Sequence, residues 1–164
     1  MQIRAETASD ITRIEVVTLA AFATAAYSEH REHLIIEALR RCDRLTVSLV
    51  ADLEGVIVGH AAASPVAISD GTAGWYGLGP VSVLPGYRGR GFGAALVREV
   101  LHALMQEQAA GCVVLGEPDY YRRFGFGTRA DLRLPGVPAE YFQAAAFGPG
   151  WPRGDVTYDA AFMI

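Results

Sequence analysis

Residues 81–94 read Val81-Ser82-Val83-Leu84-Pro85-Gly86-Tyr87-Arg88-Gly89-Arg90-Gly91-Phe92-Gly93-Ala94. Apolar and β-branched residues come first, then Pro-Gly punctuation, then three glycines in five residues at the head of a helical pattern. The order is strand, turn, helix start. Glycines at such a turn let the backbone approach a ligand with no side chain in the way. The first amides of a helix have no partner inside it, and with the helix dipole they favour an anion. Arg88 and Arg90 add positive charge. The segment suits a phosphate or a pyrophosphate.

Working outward, Trp75 to Leu84 reads as a strand interrupted by Gly77, Gly79 and Pro80. Such residues mark a bulge, an edge, or a place where something else needs the backbone. Downstream, Arg90 to Ala109 is predicted as a helix with Val97, Val100, Leu101, Leu104 and Met105 on one face. Gly111 ends it, and Cys112 to Leu115 is a short buried strand. A strand–helix–strand unit implies parallel pairing. Toward the N-terminus, Ile3 to Ala5 is a short strand, and Asp10 caps a helix carrying Ile11, Ile14, Val17 and Phe22. A second helix is expected from Glu29 to Cys42, with Arg40, Arg41 and Arg44 at its negative end. Leu45 to Leu53 and Val56 to Ala63 form an antiparallel hairpin about Glu54-Gly55. Ser64 to Gly74 reads as a loop, Pro118 to Phe124 as a helical turn or two, Pro138 to Ala146 as a short helix, and Val156 to Met163 as a last strand. The sheet is therefore mixed.

The chain has 164 residues, which fits one domain. Its 14 basic residues, all arginine, against 18 acidic ones give a formal net charge of −4. The absence of lysine excludes a Schiff-base lysine, a Walker-type phosphate lysine and a lysine general base. The mild negative charge argues against nucleic acid. Cys42 and Cys112 lie far apart, without the paired spacing of a zinc site, and read as reduced, mostly buried thiols. No signal-peptide pattern and no unbroken apolar span is visible, so no membrane is expected and a cytoplasmic location is.

Three readings of the glycine-rich turn compete. A structural turn without ligand is the plainest. Gly89-x-Gly91-x-x-Ala94 also matches the dinucleotide-binding pattern. That pattern needs an acidic residue about twenty positions on, and Glu117 comes too late. An antiparallel hairpin also precedes the motif. The third reading rests on a resemblance. Arg88-x-x-Gly91-x-Gly93 resembles the Q/R-x-x-G-x-G/A motif of the GNAT N-acetyltransferases. Val81-Ser82-Val83-Leu84-Pro85 looks like that family's central strand, and Tyr121-Arg122-Arg123-Phe124-Gly125-Phe126 resembles its later Y-x-x-x-G-F element.

The resemblance implies an α/β fold: a mixed, mostly antiparallel twisted sheet with a bulged central strand, flanked by helices, with residues 1–164 as one acyltransferase domain. It implies acetyl-CoA as cosubstrate, no metal, and direct transfer to a primary amine of a small molecule or peptide. The alternative is a non-catalytic coenzyme A binding or sensing module. Carried over by position, the backbone of Gly89, Arg90, Gly91, Phe92, Gly93 and Ala94, with Arg88, would cradle the pyrophosphate. Val81, Ser82 and Val83 would offer peptide groups to pantetheine and to the thioester carbonyl. Tyr121 falls at the family's general-acid position. Tyr120 is adjacent, and one sequence leaves open which ring faces the sulfur. Homodimers are common in the family, although no residue here decides the point.

The general base is not readable. Glu29, Glu32, His30 and His33 open the second helix, Glu117 follows a strand, and His60 on a strand suits a hydrogen-bonded core residue. His30 and His33 have metal-ligand spacing but no third ligand. Pro135 to Trp151 is expected to cover one side of the acceptor site.

Overall fold

The computed structural model describes residues 1–164. In chain order the elements are β1 (Gln2–Ala5), α1 (Ile11–Phe22), α2 (Glu32–Arg41), β2 (Val47–Leu53), β3 (Val56–Pro65), β4 (Ala67–Ile68), β5 (Trp75–Val83), α3 (Phe92–Gln106), β6 (Gly111–Leu115), α4 (Pro118–Tyr121), β7 (Leu132–Arg133), β8 (Phe142–Ala146) and β9 (Gly154–Thr157). Six strands form one sheet in the order β1-β2-β3-β5-β6-β8, and β4-β9-β7 form a small second one. Every neighbouring pair in the large sheet is antiparallel except β5–β6, which α3 connects and which is parallel as expected.

The sheet buries both faces. On the front, α3 lays Leu96, Val97, Val100, Leu101 and Leu104 against Val47, Ala51, Val58 and Ala61 of β2 and β3, with Leu78, Cys112 and Val114 beyond. Each large side chain buried there contributes about 1.5–3 kcal/mol. On the rear, Ile14 and Val17 of α1 and Ile36 of α2 pack on Val50 and Ile57. Farther along, Trp75, Val113 and Phe142 meet the small sheet through Val66, Ile68, Leu132 and Val156.

β5 carries the departure from regularity that the sequence suggested. Ala61 pairs with Val81 but Ala63 pairs with Leu78, so β5 has one residue more than β3 over that stretch. The extra residue falls at Gly79-Pro80. On the other side, the β5–β6 ladder runs from Trp75–Gly111 only to Leu78–Val114. Beyond Leu78 the two parallel strands part.

Several expectations need correction. Asp10 does not cap α1 in the ordinary way, because it already has helical backbone angles. Its buried carboxylate instead reaches back to the Thr7 N–H at 2.8 Å and holds Arg4 at 2.8 and 3.1 Å. The second helix starts three residues later than its pattern suggested, since His30 adopts a left-handed conformation. Ser64 to Gly74 is not wholly loop: β3 runs on to Pro65 and β4 follows. Phe142 to Ala146 is a sheet strand rather than a helix, since β6 offers it a full ladder from Leu115 to Gly111. The last strand stops at Thr157, and Ala160–Met163 form a 3₁₀ turn that Asp159 caps by accepting the Ala161 N–H. Cys112 is buried, but Cys42, the C-cap residue of α2, is exposed. No helix is long and apolar enough to cross a membrane.

Candidate active site

The Gly-rich turn joins β5 to α3. Gly89 and Gly91 have φ of +75° and +86°, a left-handed conformation that L side chains rarely adopt. Gly91 is the N-cap residue, and the first bond of the helix runs from the Ala95 N–H to its carbonyl. The amides of Phe92, Gly93 and Ala94 are therefore without helical partners. A Cβ at Gly89 or Gly91 would meet nothing within 4 Å, so both face open space.

That space is a cleft of about 670 Å³. Val81 and Val83 of β5 form its floor, and Arg88, Gly89, Gly91, Phe92, Gly93 and Ala94 form one end. The opposite walls are the end of α1 with the segment after it (Ala21, Phe22, Thr24, Ala25, Tyr27) and the α4 tyrosines Tyr120 and Tyr121 with Arg123. Eight of the ten positions expected to hold a cofactor thus line one cavity. Ser82 and Arg90 do not. The Ser82 side chain turns to the rear face and is 1% exposed. Arg90 stacks at 5.3 and 5.4 Å over the rings of Tyr87 and Phe92. The Arg88 guanidinium donates to the Ala21 carbonyl, which ties the glycine turn to the last turn of α1. A serine that stays paired to His60 with its side chain on the far face, and an arginine held by aromatic faces, are tertiary facts that residue type does not carry.

The structure separates the two tyrosines. The Tyr120 hydroxyl lies by the head of α3, where a Cβ on Gly93 would be 3.3 Å from it. Tyr121 sits deeper, its ring against Gly116 and edge-on to Phe126 at 5.9 Å. Burial pushes its phenol up to about 12, with the neighbouring phenols of Tyr120 and Tyr27 adding to the effect. Tyr121 therefore holds its proton throughout the neutral and mildly alkaline range.

The other titratable candidates fall elsewhere. Glu117 is an exposed residue at the start of α4. His30, Glu32 and His33 line a separate cavity of about 310 Å³ that shares Phe22 with the cleft, and both Glu32 oxygens accept from the Ser28 hydroxyl. No three His, Cys, Asp or Glu side chains are arranged to hold a metal. His60 is fully buried on β3, with Nε2 2.8 Å from Ser48 Oγ. Ser48 in turn donates to Glu6, which Arg40 clasps with two bonds of 2.9 Å. The single Ser48 proton goes to Glu6, so His60 is the donor to Ser48 and Nδ1 is a bare acceptor. Burial holds His60 down at about 4, helped by the Arg40 cation against the pull of Glu6. Of the aromatic residues, Trp75 and Phe142 are core, while Phe22 and Tyr27 line the cleft. Residues 134–137, 139 and 140 line a further cavity of about 810 Å³, which shares no residue with the cleft.

Fold and cleft together set a parted parallel strand pair beside a glycine turn at a helix N-terminus. The chain belongs to the acetyltransferase (GNAT) family, whose model matches residues 13–128. It is 36% identical over 146 residues to an Escherichia coli K12 protein named as the uncharacterized N-acetyltransferase YhbS, an alignment covering 86% of this chain and 84% of the relative. Among solved structures, a GNAT acetyltransferase from Brucella melitensis in complex with acetyl-CoA is similar with a TM-score of 0.88 and 50% identity, covering 98% of this chain and 97% of that one. E. coli YhbS in complex with CoA superposes with a TM-score of 0.89 at 32% identity, covering 99% and 92%.

Proposed function

We propose that residues 1–164 act as one acetyl-CoA-dependent N-acetyltransferase domain that moves the acetyl group directly to a primary amine of a small molecule or peptide. The observation that carries this reading is the cleft itself. It runs from unpartnered amides at the head of α3 along the half of β5 that β6 leaves unpaired. The Brucella and E. coli relatives that hold acetyl-CoA and CoA support it.

The residues fit such a cosubstrate. Amides of residues 89–94 and the α3 dipole would hold the diphosphate, and no Cβ fills the space in front of Gly89 and Gly91. Peptide groups of Val81 to Val83 would pair with the pantetheine arm and brace the thioester oxygen. A preorganised donor of that kind is worth about 3–4 kcal/mol in other enzymes. The bound thioester supplies an activated acetyl group. Tyr121, protonated and facing the cleft, would donate to the departing sulfur.

A non-catalytic coenzyme A sensor would need the same cradle but no acid, so Tyr121 favours the enzyme. Acetyl-CoA at 100 times its dissociation constant should stabilise the chain by about 2.7 kcal/mol under either reading. Thiol release across an amine library separates them. Binding without thiol release from any amine would favour the sensor, and no binding at all would end both readings.

A further inference from the structure

Eight of the fourteen arginines pair with a carboxylate. Of those that do not, Arg88, Arg90, Arg98 and Arg123 gather about the glycine turn and the first two turns of α3. Arg88 is taken up by the Ala21 carbonyl, and Arg90 by the rings of Tyr87 and Phe92. Arg98 lies 5.2 Å over Phe124 and Arg123 lies 4.6 Å over Tyr120, and these two rings meet edge-on at 5.4 Å. The four groups form one stack of cation, ring, ring and cation, which ends at Arg123 on the cleft wall. No Asp, Glu or His lines the cleft, so its charge is that of Arg88 and Arg123. Neighbouring Arg122 behaves differently: it turns to Asp119 at 2.7 Å and takes no part in the lining. Arg123 has no carboxylate to turn to. Its Nε donates to the Tyr120 carbonyl at 2.9 Å. That bond and the ring beneath fix the guanidinium and leave both terminal nitrogens without a partner. Tyr120 reaches the head of α3, where a Cβ on Gly93 would be 3.3 Å from its hydroxyl. One aromatic ring therefore separates the Arg123 cation from the amide cradle. Burial raises the Tyr120 phenol, and the Arg123 and Arg98 cations facing it pull it back. An unpaired arginine, oriented by the fold and one ring from a diphosphate cradle, points to a second anion on the same ligand. Coenzyme A carries one, on the 3′ carbon of the ribose esterified to its diphosphate.

We propose that Arg123, braced on Tyr120, binds the ribose 3′-phosphate of the acyl-CoA cosubstrate, so that the protein selects coenzyme A over its dephospho form. This rests on the acetyl-transfer reading above, with the diphosphate at residues 89–94. The backbone amides of that cradle answer any nucleoside diphosphate and carry no preference for what the ribose bears. The two terminal nitrogens of a guanidinium form a fork that matches two phosphate oxygens, and here the fork is already held in place before the ligand arrives. Little side-chain entropy is then lost on binding. Arg123 is exposed, so salt screens the contact, and the discrimination weakens as ionic strength rises.

Calorimetric titration of the full chain with CoA and with dephospho-CoA, which lacks only the 3′-phosphate, tests this in wild type, Arg123→Gln and Arg122→Gln. Wild type should bind CoA about tenfold more tightly than dephospho-CoA, the size of one solvent-facing charge-assisted contact. Arg123→Gln should weaken CoA by about that factor and leave dephospho-CoA unchanged, which erases the preference and shows at once that the variant is folded. Arg122→Gln, one residue away and equal in charge change, should match wild type with both ligands. Equal weakening of both ligands in Arg123→Gln overturns the proposal, because the arginine then serves the diphosphate or the fold. A wild type that binds the two ligands alike overturns it too. So does an Arg122→Gln variant that loses the preference as fully as Arg123→Gln, which marks bulk charge rather than a site. Each of these leaves the acetyl-transfer reading standing. A wild type that binds neither ligand ends that reading, and the Arg123 role with it.

Discussion

Replacing Tyr121 by phenylalanine deletes one oxygen from a wall of the cleft and leaves the ring contacts with Gly116, Phe124 and Phe126 in place. With its phenol at about 12 and a thiol at roughly 8.5, full proton transfer to a fully formed thiolate is uphill by about 3.5 units, or about 5 kcal/mol. Tyr121 therefore helps mainly as a hydrogen-bond donor while charge builds on sulfur, and handing over the proton is not its chief contribution. That places the expected loss at the low end of general-acid effects, about 10²-fold in kcat, with acetyl-CoA affinity little changed. The pH profile carries the sign. The protonated form is the useful one, and a raised pKa extends it upward, so wild-type turnover should show no alkaline loss from this group up to pH of about 10.5. Thiol release followed colorimetrically across the pH range in both proteins measures each quantity. The reasoning is refuted by a phenylalanine variant within twofold of wild type. It is equally refuted by a wild-type alkaline limb near pH 10 that the variant lacks.

Gly91→Glu puts a side chain on a left-handed N-cap, at about 1–2 kcal/mol, and a negative charge at the mouth of the cradle. It should lower the ligand-free thermal midpoint by a few degrees and abolish the stabilisation by acetyl-CoA, and a retained ligand shift would contradict the cradle. Asp10→Asn removes the carboxylate that Arg4 and Thr7 share, and should cost about 2 kcal/mol in urea unfolding at pH 7. The Arg4 guanidinium, outweighing the cost of burial, holds the Asp10 carboxyl well below its usual range, so its contribution is complete above pH of about 4 and is lost as pH falls further. The variant should accordingly lose less stability than wild type on acidification below that point. His60, held near 4 by burial, should show no imidazole titration by NMR between about pH 5.5 and 8. Its folded value lies below the unfolded one, so its neutral form supports the fold fully above pH of about 6.5 and progressively less down to about 4.

The front half of the site was legible because its signals are local. Gly89, Gly91 and Gly93 mark a backbone that must approach something, and Gly77, Gly79 and Pro80 mark a strand that cannot pair evenly. The ladder ending at Leu78–Val114 and the bulge opposite Ala61–Ala63 follow those marks. Phe142 to Ala146 was misread because an alanine-rich stretch carries helical propensity, whereas its conformation is set by β6, distant in sequence. The small sheet was hidden for a similar reason, since only β9 beside β4 brings the C-terminal segment, with the Tyr158 ring, over Gly77. Arg88 was read as a charge for the ligand, and its bond to the Ala21 carbonyl depends on where α1 ends, which no motif records.

Strands that diverge midway leave peptide groups idle, and idle peptide groups at the border of a sheet invite adhesion between molecules. Here they lie in the interior of the strand order, since β3 flanks β5 and β8 flanks β6. A stray chain would have to thread between two strands already fastened on their far sides. The fold can thus hold unpaired backbone in readiness without a sticky margin.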